Sequence, residues 1–198
     1  IGNSFAASSS TVTANDITTG AINGTFADAS TVTANDITTG GFYYFAYDSS
    51  TVNANDITTG DIGSRFAYSS TVNANDITTG NITYDFAYAA TVNAVGITVN
   101  GTIGGDFAAS GADVTATGNI SVTGAITGYF ALNGGTTVNA VDITTANVGS
   151  FAYVPSSGNA TVTASGNIST GTCNYFAYSS TVNANDITTG TCYFFADS

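Results

Sequence analysis

"TVNANDITTG" occupies Thr51–Gly60, and the same ten letters return at Thr71–Gly80 and Thr181–Gly190. With Asn replaced by Thr they stand also at Thr11–Gly20 and Thr31–Gly40. A catalytic centre is needed once, so near-verbatim repetition points to architecture. Aligned on Thr-Val, the chain divides into nine units that begin at Thr11, Thr31, Thr51, Thr71, Thr91, Asp113, Thr137, Thr161 and Thr181. A half unit, "IGNSFAASSS", precedes them, and the usual period is twenty residues. Fixed periods of this size belong to solenoids, propellers or arrays.

The copies act as an alignment within one chain. Val recurs in every unit, and Ala follows two residues later. That spacing puts both on one strand face and sends the flanking Thr and Asn outward. Ile comes next, three residues after Ala in most units, so a corner must lie between them. The residue before each Ile is Asp16, Asp36, Asp56, Asp76, Gly96, Asn119, Asp142, Asn167 or Asp186. Asp, Asn and Gly tolerate left-handed backbone angles and form Asx turns, which supports a corner at this residue. A second corner is expected at the Gly of "ITTG". A third apolar column follows (Ile22, Phe42, Ile62, Ile82, Ile103, Ile126, Val148, Cys173, Cys192), and then "FA" recurs ten times. The spacing between that column and Phe varies, which predicts a third corner or a bulge there.

Short strands separated by turns, one set per twenty residues, predict an all-β parallel β-helix of nine to ten rungs. Identical columns would stack at about 4.8 Å and give a rod about 45 Å long. The expected core ladders are Val12, Val32, Val52 and Val72; Ile17, Ile37, Ile57 and Ile77; and Phe26, Phe45, Phe66 and Phe86. If Phe points inward, Tyr two residues later should follow it and Ala should face out. If Ala points inward, Phe and Tyr form an exposed aromatic stripe, an interface for a second rod. Ten exposed Phe would make an oversized apolar patch, which favours Phe inward.

Composition narrows the function. Lys, Glu, Gln, His, Met and Trp are absent, Arg65 is the only base, and the net charge is −12. Nucleic-acid binding needs Lys and Arg to displace counterions, so that class is excluded, and anionic membranes are poor partners for the same reason. No run of about eighteen apolar residues offers a membrane span. Ile1 is not an initiator and no basic-then-apolar leader is seen, so a processed chain or a window of a longer protein is expected. Catalysis lacks its usual side chains, and no enzyme activity or cofactor is expected.

Several motifs admit a functional and a plainer reading. Asp16, Asp36, Asp56 and Asp76 would stack as carboxylates, whose repulsion bridging calcium would relieve. The same column accepts Gly96 and Asn119, which favours solvent-facing turn residues. "TVT" at Thr11–Thr13, Thr31–Thr33 and Thr161–Thr163 resembles the Thr ladders of ice-binding solenoids, but Asn replaces the second Thr in five other units. Cys173 and Cys192 share a column on adjacent rungs, within disulfide range, or are two buried thiols. Asn-x-Ser/Thr sequons at Asn23, Asn81, Asn100, Asn119, Asn159 and Asn167 are candidate glycan acceptors.

"VTATGNISVTGAITGYFALNGG" at 114–135 and similar phrases resemble repeat regions of bacteriophage tail-fibre and virion structural proteins. They are similar also to stalks of bacterial adhesins and secreted fibrils. The resemblance covers the whole chain in composition and rhythm. It implies an elongated structural role, extracellular or at a virion surface, with self-association into a fibre and glycans as partners. The competing expectation is a surface-binding module, an adhesin stalk or ice-binding rod that uses the outward Thr/Asn face.

Overall fold

β-Branched residues at alternate positions, interrupted every few residues, give strands too short to stand alone, so each must pair with its copy one rung away. The computed structural model shows this arrangement. It describes residues 4–7 and 9–197. Ile1, where a partial rung is expected to begin, lies outside them. The described residues are all-β, without a helix, and form a parallel β-solenoid of about ten turns.

Three parallel sheets form its sides. The Phe sheet has ten strands, from Ser4–Ala6 to Cys192–Asp197. The Val sheet has nine, from Thr11–Thr13 to Thr181–Asn183, and the Ile sheet nine, from Asp16–Thr19 to Asp186–Thr189. Register follows the repeat: Val72 pairs with Val52 and Val92, and Ile77 with Ile57 and Ile97.

The interior is a set of columns. Val32, Val52 and Val72 are fully buried, as are Ile37, Ile57 and Ile77 to within a percent. Ile17 is buried and Val12, in the first full rung, is half-buried. Phe26, Phe45, Phe66 and Phe86 belong to a stack of ten rings from Phe5 to Phe195, with centroids 4.7–4.9 Å apart and planes within 11°. The second Thr of Ile-Thr-Thr also faces inward: Thr39, Thr59 and Thr79 are buried, and Val99 and Val122 take the same place.

Two local expectations are corrected. The residue before each Ile is not left-handed; in most rungs it opens the Ile-sheet strand. That corner turns at Ala-Asn just before it, where each Asn amide donates to the Asn carbonyl one rung back (Asn55 N to Asn35 O, 2.5 Å; Asn75 N to Asn55 O, 2.6 Å). The left-handed residues lie instead between the Phe and Val sheets: Ala29, Ser69, Ala89, Ser110 and Ser179, with φ of 43–56°. The Ser that follows caps the turn, as Ser30 Oγ donates to Ala6 O (3.2 Å) and Ser70 Oγ to Ala46 O (3.3 Å). The Pro155 insertion lengthens this same corner, leaving the columns in register.

The second correction concerns parity. Phe and the following Ala are both buried, and the Tyr after them lies half-buried on the outer side. Phe66 and Phe86 sit in a bend immediately before the strand, which lets two consecutive side chains turn inward. Between the third apolar column and Phe, a register shift separates Ile126 from Tyr129. In the last such column Cys173 and Cys192 form a disulfide, with Cα atoms 4.8 Å apart.

Candidate functional site

The Val, Ile and Phe columns barely vary. Variation gathers on the outer side of the Phe sheet, in the residue before each Phe: Thr25, Tyr44, Arg65, Asp85, Asp106 and Tyr129 in successive rungs. A second outer column, two residues after Phe, carries Asp28, Tyr47, Tyr68 and Tyr88, and later Tyr153 and Tyr178. Both columns flank the buried Phe-Ala pair, so the core fixes their spacing while leaving their identity free.

Tyr47, Tyr68 and Tyr88 stack with ring centres 5.1 and 5.4 Å apart and planes within 14°. Arg65 lies across this stack. Its guanidinium carbon is 4.7 Å from the Tyr88 ring centre, 5.3 Å from Tyr68 and 5.8 Å from Tyr84. Its Nε donates to Asp85 Oδ2 at 2.6 Å. The lone base of the chain is therefore held by three aromatic rings and one carboxylate, a cation–π arrangement closed by an ion pair. Asp85 Oδ1 in turn accepts from the Asp106 amide (2.9 Å), and Asp106 Oδ1 from the Tyr129 amide (2.8 Å). Burial is the main force that pushes the Asp106 carboxyl up to about 6, opposed by the Tyr129 amide, while Asp85 adds to the rise and Arg65 opposes it. The Tyr47 hydroxyl is pushed up as well, by burial first and then by Tyr44, Tyr68, Asp48 and Asp28.

Beside Arg65 the same face opens into a groove of about 860 Å³, lined by Tyr43, Tyr44, Tyr47, Asp28 and Asp61 among others. Its origin is a length difference. Four residues separate Gly40 from Phe45, whereas five separate Gly20 from Phe26 and Gly60 from Phe66. The short rung opens a recess between its longer neighbours.

The residues singled out from sequence are distributed elsewhere. Asp16, Asp36, Asp56 and Asp76 are exposed along one edge of the Ile sheet. Among the described residues no three His, Cys, Asp or Glu gather as a metal site. Asn23, Asn81, Asn100, Asn119, Asn159 and Asn167 are all exposed, with Asn23 and Asn81 at the groove. On the outer side of the Val sheet Asn73 donates to Asn53 (2.8 Å) and Asn93 to Asn73 (2.9 Å), an amide ladder. Sequence reasoning missed the Tyr–Arg–Asp surface. Its signal was the one column that refuses to repeat, set beside the only base.

No protein-family model matches the chain, and comparison with curated proteins and with solved structures gives no match.

Proposed function

We propose that this chain is a structural protein, the shaft of an extracellular or virion-surface fibre built by stacking solenoid rungs, with no catalytic role. One observation carries the reading. All three sheets run parallel through the described rungs, in register apart from one shift between Ile126 and Tyr129, with Val, Ile and Phe repeated in their core columns. Such a lattice has no intrinsic stop, because each rung presents the next with the edge and side chains it has itself just covered. Further rungs of the same polypeptide and rungs of a second copy satisfy that edge equally well. The disulfide agrees with an oxidising compartment.

A surface-binding rod would use the outward Thr/Asn face of the Val sheet. There the Asn53–Asn73–Asn93 amides already bond to one another, which leaves fewer groups for a solid or carbohydrate partner. The shaft reading is therefore preferred.

Cryo-electron microscopy of the native material, at side-chain resolution, tests it. Continuous rods with an unbroken rung repeat of about 4.8 Å are the expected result. Extra density on the exposed Asn or Thr side chains would identify a sugar coat. Isolated short rods with closed ends would reject the shaft and favour a discrete surface-binding module.

A further inference from the structure

We propose that the tyrosine groove beside Arg65 is a binding site for a small organic cation with a guanidinium or methylated ammonium head. The site stands on its own side chains, whether or not rods join into fibres.

The wall geometry comes first. Tyr43 and Tyr44 have ring centres 4.9 Å apart and planes at 86°, and Tyr44 and Tyr47 are 4.6 Å apart at 46°. In the adjoining rungs Tyr47, Tyr68 and Tyr88 lie flat on one another, within 14°, and tilted pairs return only near the other end of the face, where Tyr175 meets Tyr153 at 49° and Tyr178 at 67°. Rings in several planes around one recess suit a rounded or forked cationic head, which is attracted to aromatic faces from more than one side. A flat platform would better suit the broad face of a sugar ring. Tyr43 is 53% exposed, so its ring is available without displacing the core.

Charge comes second. Among the described residues, those lining the groove that carry formal charge are Asp28 and Asp61, and none is a base. Asp61 is held in place, its Oδ1 accepting from the Asn81 amide (2.7 Å) and from Asn81 Nδ2 (3.1 Å). In a chain of net charge −12 this lining repels anions and attracts cations.

The third observation is a precedent inside the molecule. One rung further along, the same two outer columns hold a cation already: the Arg65 guanidinium among Tyr68, Tyr84 and Tyr88, tied to Asp85. At the groove Tyr44 stands in the Arg65 column and Tyr47 in the Tyr68 column. The groove thus repeats the cage chemistry, tyrosines plus carboxylate, without supplying a cation of its own.

Equilibrium dialysis of radiolabelled choline at physiological ionic strength reads the proposal, and works equally for single rods and joined ones. The expected result is saturable retention of one choline per chain. Its neutral isostere 3,3-dimethylbutan-1-ol should compete at least about tenfold less well. Tyr43→Ala should abolish retention, and Asp28→Asn combined with Asp61→Asn should weaken it about fivefold or more. Tyr193→Ala, an exposed aromatic at the far end of the same face, should leave it unchanged. Far-ultraviolet circular dichroism of each variant separates lost binding from lost fold. Retention that survives Tyr43→Ala would reveal diffuse counterion binding and overturn the proposal. So would competition by cellobiose or by the neutral isostere as strong as by choline itself, or no retention at all.

Discussion

Asp106 follows Asp85 in the outer column, with Asp85 between it and the Arg65 guanidinium, in a partly buried position that favours its neutral form. Its folded value of about 6 lies above the ordinary 3.8. The folded chain therefore holds a proton, between about pH 4 and pH 6, that the unfolded chain has released. Stability contributed by this group is present below that window and is lost as pH rises through it. Asp106→Asn keeps an oxygen for the Tyr129 amide and removes the titration. The variant should match the parent near pH 4 and exceed it near pH 7, as read by denaturation midpoints across that range. Little of this was legible beforehand. The sequence shows one base and thirteen acids, but only the rung register reveals that Arg65, Asp85 and Asp106 follow one another in a single column.

Strands and corners differ in how openly they announce themselves. The Val and Ile columns were readable because strand parity is rigid and nine internal copies repeat it. The corners were not, because the left-handed residues are ordinary Ala and Ser, such as Ala89 and Ser69, with no compositional mark. The Asp/Asn residues that seemed to mark the corner serve another purpose in several rungs. Their side-chain oxygen accepts the amide of the next rung, Asn119 from Asp142 (3.2 Å) and Asp142 from Asn167 (2.7 Å), and at the following corner Asn147 accepts from Thr172 in the same way (2.9 Å). Glycine precedes the donor in the last two cases, Gly166 and Gly171, because a Cβ there would overlap the reaching oxygen. At these two positions an Asx on one rung is matched to a Gly on the next, whereas the longer Asn119–Asp142 bond tolerates Val141. Gly166→Ala should cost about 0.5–1.5 kcal/mol, the net range for one hydrogen bond, because the Asn167–Asp142 bond is exposed and leaves no buried group unpaired. Adding Asp142→Ala should restore part of that loss, and a double-mutant cycle in denaturant should show the coupling.

Along the whole rod, each rung touches only its neighbours, so stability is close to a sum of rung terms and rung–rung interfaces. The ten-ring Phe column runs through all of these interfaces, and its rings from Phe26 to Phe176 are buried. Truncating a ring in the middle, Phe107→Ala, leaves a void that two fixed neighbours, Phe86 and Phe130, cannot fill. The expected cost is about 3–5 kcal/mol. It should also divide the rod, so that native-state hydrogen exchange reports separate opening of the halves on either side of Phe107, where the parent opens with stronger coupling. Uniform loss of protection along the chain would count against a one-dimensional stack. The rod itself was legible from the period and the Val and Ile columns. Its outer chemistry was not, since repetition says nothing about the one column that escapes it.

The caged arginine has a further effect. With no lysine in the chain, the peptide bond after Arg65 is the sole cut available to trypsin-like proteases, and its recognition side chain is already claimed by Tyr68, Tyr84, Tyr88 and Asp85. To such enzymes the folded rod offers almost no foothold, and reagents that label lysine amines find no side chain to modify. A material built this way would persist among trypsin-like proteases that dismantle most of its neighbours, and would leave few tryptic peptides to betray its presence.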